Sequence, residues 1–371
     1  MFYSNSYTLD EKAYDFRVRF SQWTSRARYD VDGIEETLPS GEGFQKRDMD
    51  FVSMYGMSKM VTIGIGGRWR QNISQSNEQD LSTSGLESLY GMINYQFKPP
   101  SKRWRFSIIG EFRQTFYTNP TYDAGTEIPG EEDLVLGDSG TEYKAIGHLT
   151  YENTVNHYLY FWGGYVQPPN DLSAEVEYGV ESAYPYQNWM FSFGIKGIYS
   201  LNFDEFESDP SAKPQQQTGS SNLFNSINRS NIAPFITIGR GFRNWFLKFE
   251  GTQVTDGFST DEGFEFAVNL NMRIPGKSRK QAKVNKFKEY LVEASVVKVS
   301  PRGKFFKIDK GLAQDIEKGM SFDIFKADYF GGNILVASGV VFEIGGEWAI
   351  IRLNQIYRKM EIRPGFVARG Y

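Results

Sequence analysis

Residues 61–70 read Val-Thr-Ile-Gly-Ile-Gly-Gly-Arg-Trp-Arg, and the fold turns on how this stretch divides between two faces. Counted by twos, Val61, Ile63, Ile65, Gly67 and Trp69 share one side, while Thr62, Gly64, Gly66, Arg68 and Arg70 share the other. A strand in a soluble sandwich also alternates, but it turns its apolar side inward and its charges to water. Here the alternation recurs at roughly ten-residue intervals between residues 12 and 274. That is the pattern of an antiparallel barrel in lipid, apolar outside and polar within.

Composition narrows the class further. Aromatic residues make up 16% of the 371-residue chain, yet mean hydropathy is -0.47. Nowhere do eighteen apolar residues run together, which excludes a spanning helix. A spanning strand needs only about nine to eleven residues, half of them apolar, and remains allowed. The chain contains no cysteine, so disulfide frameworks, thiolate chemistry and cysteine metal sites are out. A net charge of -4 argues against a nucleic-acid partner. The opening MFYSNSYTLDEK has neither a basic nor an apolar segment, so a barrel bound for export is expected to have lost a signal peptide ahead of it.

Twelve strands are expected, near residues 12–26, 47–56, 61–70, 86–97, 103–117, 143–152, 158–166, 172–181, 189–199, 231–239, 245–255 and 264–274. The tenth is the weakest, because Pro234 lies within it. Connections alternate in length. MSKM, KPPSK, NTVN, PYQN and RGFRN are short, whereas TNPTYDAGTEIPGEEDLVLGDSG and DEFESDPSAKPQQQTGSSN are long and polar. In these respects the region resembles the outer-membrane barrels of the porin and transporter superfamily. The resemblance implies periplasmic turns, extracellular loops, contact with outer-membrane lipid, and an even strand count that returns residues 275–371 to the periplasm.

Parity assigns the faces. Ile63, Ile65, Phe106, Ile108, Phe191, Phe193, Val268 and Leu270 point to lipid, with Trp69, Trp104, Tyr158, Trp189 and Trp245 as interfacial aromatics. Arg17, Arg19, Arg68, Arg70, Arg105, Arg113, Glu175, Glu177 and Glu181 point to the lumen. A dry soluble core would bury these ions at several kcal/mol each, which disfavours the soluble alternative. In a ring of about twelve strands, the eighth faces the second, so a basic wall opposes an acidic one. Two functions remain open: a narrow channel whose transverse field selects polar solutes, or a barrel plugged by its own ion pairs that serves as an anchor, alone or as a homo-oligomer.

Catalysis is not expected. One outer-membrane phospholipase family carries a His and a Ser on its lipid face, but His148 has lumen parity and no serine two residues on, and His157 sits in a turn without a neighbouring acid. Two histidines without cysteine give no zinc set, and the Gly-Ile-Gly-Gly of residues 64–67 lacks the lysine and helix of a phosphate loop. No catalytic residue, metal or cofactor is therefore assigned.

Residues 275–288 form a basic linker with Lys277, Arg279, Lys280 and Lys283, suited to lipid headgroups or peptidoglycan carboxylates, or simply solvated. Residues 289–371 switch to short strands broken by PRGK, EKG, FGGN and IGGE, the signature of a small all-β domain. Its expected core is Leu291, Val296, Val297, Phe306, Ile308, Phe322, Ile324, Val340, Ile350 and Leu353. The succession FFKIDKG, IEKGMSFDIF and a strand ending AIIRL resembles the small SH3-like barrels of periplasmic assembly factors, such as the C-terminal domain of the flagellar H-ring and T-ring protein. That resemblance implies contact with a periplasmic protein or the envelope rather than chemistry.

Overall fold

The computed structural model describes residues 6–77, 79–98, 103–130, 132–153, 157–169, 172–242, 244–276, 289–327, 333–358 and 360–371. The chain separates into two compact units on either side of residues 277 and 278. The linker residues Lys277, Arg279, Lys280 and Lys283 lie outside the described residues.

The first unit is all-β. Its strands are β1 (Tyr14–Tyr29), β2 (Glu35–Thr37), β3 (Gly43–Gly56), β4 (Val61–Gln75), β5 (Leu81–Gln96), β6 (Trp104–Thr115), β7 (Thr141–Glu152), β8 (Tyr158–Gln167), β9 (Glu175–Tyr186), β10 (Trp189–Ser200), β11 (Ser230–Gly241), β12 (Trp245–Gln253), β13 (Asp256–Phe258) and β14 (Thr260–Ile274). Short β2 and β13 are ribbons on β1 and β11, and the other twelve pair antiparallel with their neighbours. Because β1 pairs with both β3 and β14, the sheet closes on itself. Closure leaves no unpaired edge.

The outer surface of this barrel is apolar. Ile65 is 71% exposed, and Ile63, Phe106, Ile108, Phe191, Phe193 and Leu270 are exposed with it, while Val268 is half-buried. On the opposite face Asp15, Asn72, Glu87, Ser107 and Thr150 are fully buried. Polar inside and apolar outside inverts the arrangement of a soluble barrel. Gly64 and Gly66 sit on the inner face, where a Cβ would fall 2.9 Å from Met54 and Met92 and 2.5 Å from the Tyr90 ring. These glycines leave room for large neighbours on adjacent strands.

Several strands outrun the sequence expectation. β4 continues to Gln75 and β5 begins at Leu81, so most of the polar run expected as a loop is strand. Trp69 accordingly lies mid-strand rather than at a rim. Pro234 is tolerated in β11 because of where it falls: residues 230–232 pair with β13 and residues 235–241 with β12, so Pro234 stands in the gap where no ladder donor is required.

The second unit is a closed six-strand barrel formed by β15 (Val292–Val299), β16 (Phe305–Ile308), β17 (Ser321–Ala327), β18 (Asn333–Ile344), β19 (Ala349–Ile356) and β20 (Val367–Gly370), in the order β15-β16-β19-β18-β17-β20. Its core is apolar: Val296, Phe306, Ile308, Ile316, Phe322, Ile324, Val336 and Ile351 are buried together. Four expected core positions are corrected. Leu291 is 76% exposed and Val297 is exposed, while Val340 and Ile350 are displaced from full burial by their neighbours Val341 and Ile351. For Val340 the cause is bulging: β18 slips register against β19 at Ser338/Gly339 and again at Val341/Glu343, and each extra residue reverses the parity beyond it.

Candidate functional site: the interior of the twelve-strand barrel

The barrel interior is lined by ion pairs that run along the wall. Arg68 and Asp50 are direct partners across β4 and β3, as are Arg70 and Asp48, with Nε to Oδ1 distances of 2.7 and 2.6 Å. Arg19 reaches Glu265 at 2.5 Å, and Arg17 and Arg273 share Asp15 at 2.9 and 3.4 Å. Lys196 and Lys248 share Glu250 at 2.8 and 2.9 Å. Arg229, at the foot of β11, holds both oxygens of Glu175. Burial works against the Arg229 charge, and Glu175 overcomes it, keeping the guanidinium above its ordinary value. Glu181 accepts from Ser192 at 2.5 Å.

The basic wall of β1 and β4 is therefore matched by carboxylates on the same or adjacent strands, not by the glutamates of β9. Asp48, Asp50, Glu87, Glu250 and Glu265 are the partners the alternation reading overlooked. Asp48 and Asp50 could have been found from hairpin register alone, since residues facing each other across a ladder interact. Glu87 could not, because parity puts it outside. A bulge in β5, where Arg68 pairs with Ser88 but Trp69 with Leu86, turns Glu87 inward to meet Arg113 at 2.6 Å and Arg70 at 3.8 Å. Its signal in the sequence is Leu86-Glu-Ser-Leu89, where two exposed leucines stand three apart and the alternation breaks.

Arg105 also faces inward, over the ring of Tyr7 at 5.8 Å. Trp104, Trp189 and Trp245 lie near strand starts on the outer face. Tyr158 does not: it is buried on the inner face with Tyr160. β8 carries aromatic residues on both sides, so parity had no polar residue to fix it. His148 is inside, with Nδ1 2.6 Å from the Tyr160 hydroxyl. His157 is on the outer side, its Nε2 2.8 Å from Ser182 Oγ and its ring stacked on Tyr184.

Both mouths are narrowed by chain that folds inward. At the short-turn end, residues 6–13 enter the barrel: Ser6 Oγ meets Thr150 Oγ1 at 2.6 Å, Leu9 N–H donates to Thr62 Oγ1 at 2.8 Å, and Leu9 and Ala13 pack on Met54. Burial, then Glu152, push the Tyr7 hydroxyl up to about 12, so it stays a neutral hydrogen-bonding group. At the long-loop end, residues 132–140 and 201–229 bring Leu134, Val135 and Phe224 against Trp23, Tyr29, Phe44, Ala233 and Val254 of the inner wall. Polar clamps fasten them. Asn72 Nδ2 donates to the Val135 carbonyl at 2.7 Å, Arg70 to the Leu136 carbonyl at 3.2 Å, and the Asn225 N–H to Asp138 at 2.9 Å. Between the two lies a chamber of about 200 Å³. The pairing of the extended ends of β4 and β5 is explained by these clamps, since the loops cover the inner face that would otherwise have been two-sided polar strand.

No family model matches the chain, and no curated protein matches it. Among solved structures the barrel is similar to an outer membrane channel from Pseudomonas putida F1, with 10% identity over 74% of this chain and 100% of that one, and a TM-score of 0.52. Looser likenesses are to the translocator domain of autotransporter NalP from Neisseria meningitidis (10% identity, 71% and 90% covered, TM-score 0.42) and to the CymD monoaromatic hydrocarbon channel (9%, 73% and 90%, TM-score 0.37). What the first likeness establishes is the fold: a closed antiparallel barrel of the kind outer-membrane channels use.

Proposed function

We propose that the large barrel spans an outer membrane as a narrow channel for small polar solutes, with its short turns and the six-strand unit on the periplasmic side. The observation that carries this reading is the chamber inside the barrel. Arg17, Lys144, Arg273 and Glu177, which line it, keep roughly a quarter to a third of their side-chain surface exposed. A barrel sealed by its own side chains would bury them. The infolded loops then act as the closure of a channel, fastened to the wall by side-chain hydrogen bonds such as those of Asn72, Ser74 and Asp261 and by the cluster around Leu134 and Phe224. In planar bilayers the purified protein should show discrete current steps of low conductance. Replacing the loop anchors, Leu134→Asn with Phe224→Asn, should raise the conductance severalfold. Silence from both proteins would remove the channel reading.

The loop-filled mouth is the observation that favours a second reading, in which the barrel conducts nothing and anchors the six-strand unit. Under either reading that unit is a docking module of the SH3-like kind, offered to peptidoglycan or a periplasmic protein, with the basic linker near headgroups or stem carboxylates and the barrel free to pair with further copies of itself. Deleting residues 275–371 tests the module: an unchanged set of partners and an unchanged assembly state would eliminate it. No enzymatic role is proposed.

A further inference from the structure

Charge divides unevenly along the chain. Residues 1–274 hold 23 lysines and arginines against 35 acids, whereas residues 275–371 hold 18 against 10. Part of that positive excess gathers on one side of the six-strand unit. On the outer face of β15, β16 and β19, Lys298 stands directly opposite Lys307, Lys307 opposite Ile350, and Phe305 opposite Arg352. The turn from β15 to β16 adds Arg302 and Lys304, both exposed. Among the described residues, Lys298, Lys307 and Arg352 have no carboxylate within ion-pair distance, whereas Arg363 and Arg369 of the same unit pair with Glu361 and Glu293. Like charges facing each other across a ladder destabilise a sheet, so the Lys298–Lys307 pair costs stability until an anion lies against it.

Apolar groups share this face. Val297 is 51% exposed at the bulge in β15, and Phe342 is 49% exposed at the bulge in β18. The Phe305 and Phe342 rings meet edge to face with centroids 5.6 Å apart, Arg352 lies over Phe342 at 5.8 Å, and Lys307 lies over Trp348 at 4.6 Å. Glu343, opposite Ile350, marks the far edge. Cations and rings side by side match a lipid headgroup layer, which attracts lysine and arginine by its phosphates and accepts aromatic rings at the same depth.

We propose that this face of the six-strand unit docks on anionic phospholipid of the membrane that the large barrel spans. Seventeen residues separate the end of β14 from the start of β15, a reach of at most about 60 Å when fully extended, so the lipid surface stays at high effective concentration. The linker sequence 275–288, basic and without an acid, adds positive charge along the same route. Docking leaves β17 and β20, across the ring, free for a protein partner.

The proposal rests on the membrane reading of the large barrel, and the two fail separately. The full-length chain is placed in nanodiscs of phosphatidylcholine, alone or with about 30% phosphatidylglycerol, carrying an environment-sensitive fluorophore on Val297→Cys or, as a control, on Ala327→Cys of β17. The label at 297 should shift to the blue in the anionic discs, with quenching by doxyl lipid about threefold greater than in the neutral discs, and 0.5 M salt should reverse both. The label at 327 should not respond. Lys298→Gln, Lys307→Gln and Arg352→Gln together should abolish the response with the linker intact, whereas Lys298→Arg with Lys307→Arg should preserve it. Equal signals at 297 in the two lipids, an equal response at 327, or a full response from the triple variant overturns the docking face. So does a response at 297 that appears only when purified peptidoglycan is added, which would give the face to a glycan. Protein that enters discs of neither composition defeats the barrel reading instead, and the same label then reads docking on added vesicles of the two compositions by the same criteria.

Discussion

The chain builds two closed antiparallel barrels from the same alternating strands and gives them opposite interiors. In the six-strand unit, Phe306, Ile308, Phe322, Ile324 and Ile351 are fully buried against one another. In the twelve-strand unit, the fully buried positions include Asp15, Asn72, Glu87 and Thr150, while Ile65, Phe193 and Ile236 stand in the open. Burying apolar surface stabilises by about 25 cal/mol per Å², so a sheet that leaves its isoleucines outside is folded for a solvent in which they cost nothing. The period-two pattern thus fixes which residues share a face, but not which face meets water. The placement of the ions decides that.

The largest effects separating the two interiors come from removing one core group in each. Phe306→Ala should cost the six-strand unit about 3–5 kcal/mol, by lost burial and a residual cavity. Arg70→Met should cost the large barrel about 3–5 kcal/mol as well, because Asp48 is left buried and unpaired. Arg70 and Asp48 have side chains only 6% and 7% exposed. The distinguishing result is the double variant. Adding Asp48→Leu to Arg70→Met should recover most of the loss, whereas no second substitution that adds no volume rescues Phe306→Ala. Urea unfolding in detergent micelles measures both.

A subtler comparison uses two aliphatic residues of similar exposure, Ile65 at 71% and Leu291 at 76%. Leu291→Arg should change stability by less than about 0.5 kcal/mol, as surface substitutions do in water. Ile65→Arg should cost about 2–4 kcal/mol in a bilayer, the price of a cation near its midplane. Equal tolerance at both positions would mean that the two surfaces see the same solvent.

Much of this was legible in the residues. The twelve long strands and their antiparallel order followed from alternation and loop length, because a closed barrel in which every backbone donor pairs leaves few other solutions. What escaped has a common physical origin: contacts that depend on a bulge or on chain folding back. Glu87 was overlooked and the core of β18 misplaced because one extra residue reverses parity, and the ends of β4 and β5 read as loop because both of their faces are polar and the segments that cover the inner one are distant in sequence. The strap of residues 6–13 carries only Leu9 and Ala13 as apolar anchors, too faint a pattern to recognise. Tyr158 went to the wrong side because aromatic rings suit a lumen as well as a rim.

The central claim, that hydrocarbon surrounds the apolar side of the large barrel, is open to a scan that the cysteine-free chain makes clean. Single cysteines placed one at a time from position 61 to 70, spin-labelled and reconstituted in lipid vesicles, report collision with oxygen, which concentrates in hydrocarbon, and with a water-soluble nickel chelate. The account predicts that oxygen contact peaks at 61, 63, 65, 67 and 69, with low chelate contact at the same positions. Chelate contact at 63 and 65 as high as that at an exposed position of the six-strand unit such as 291 would contradict it.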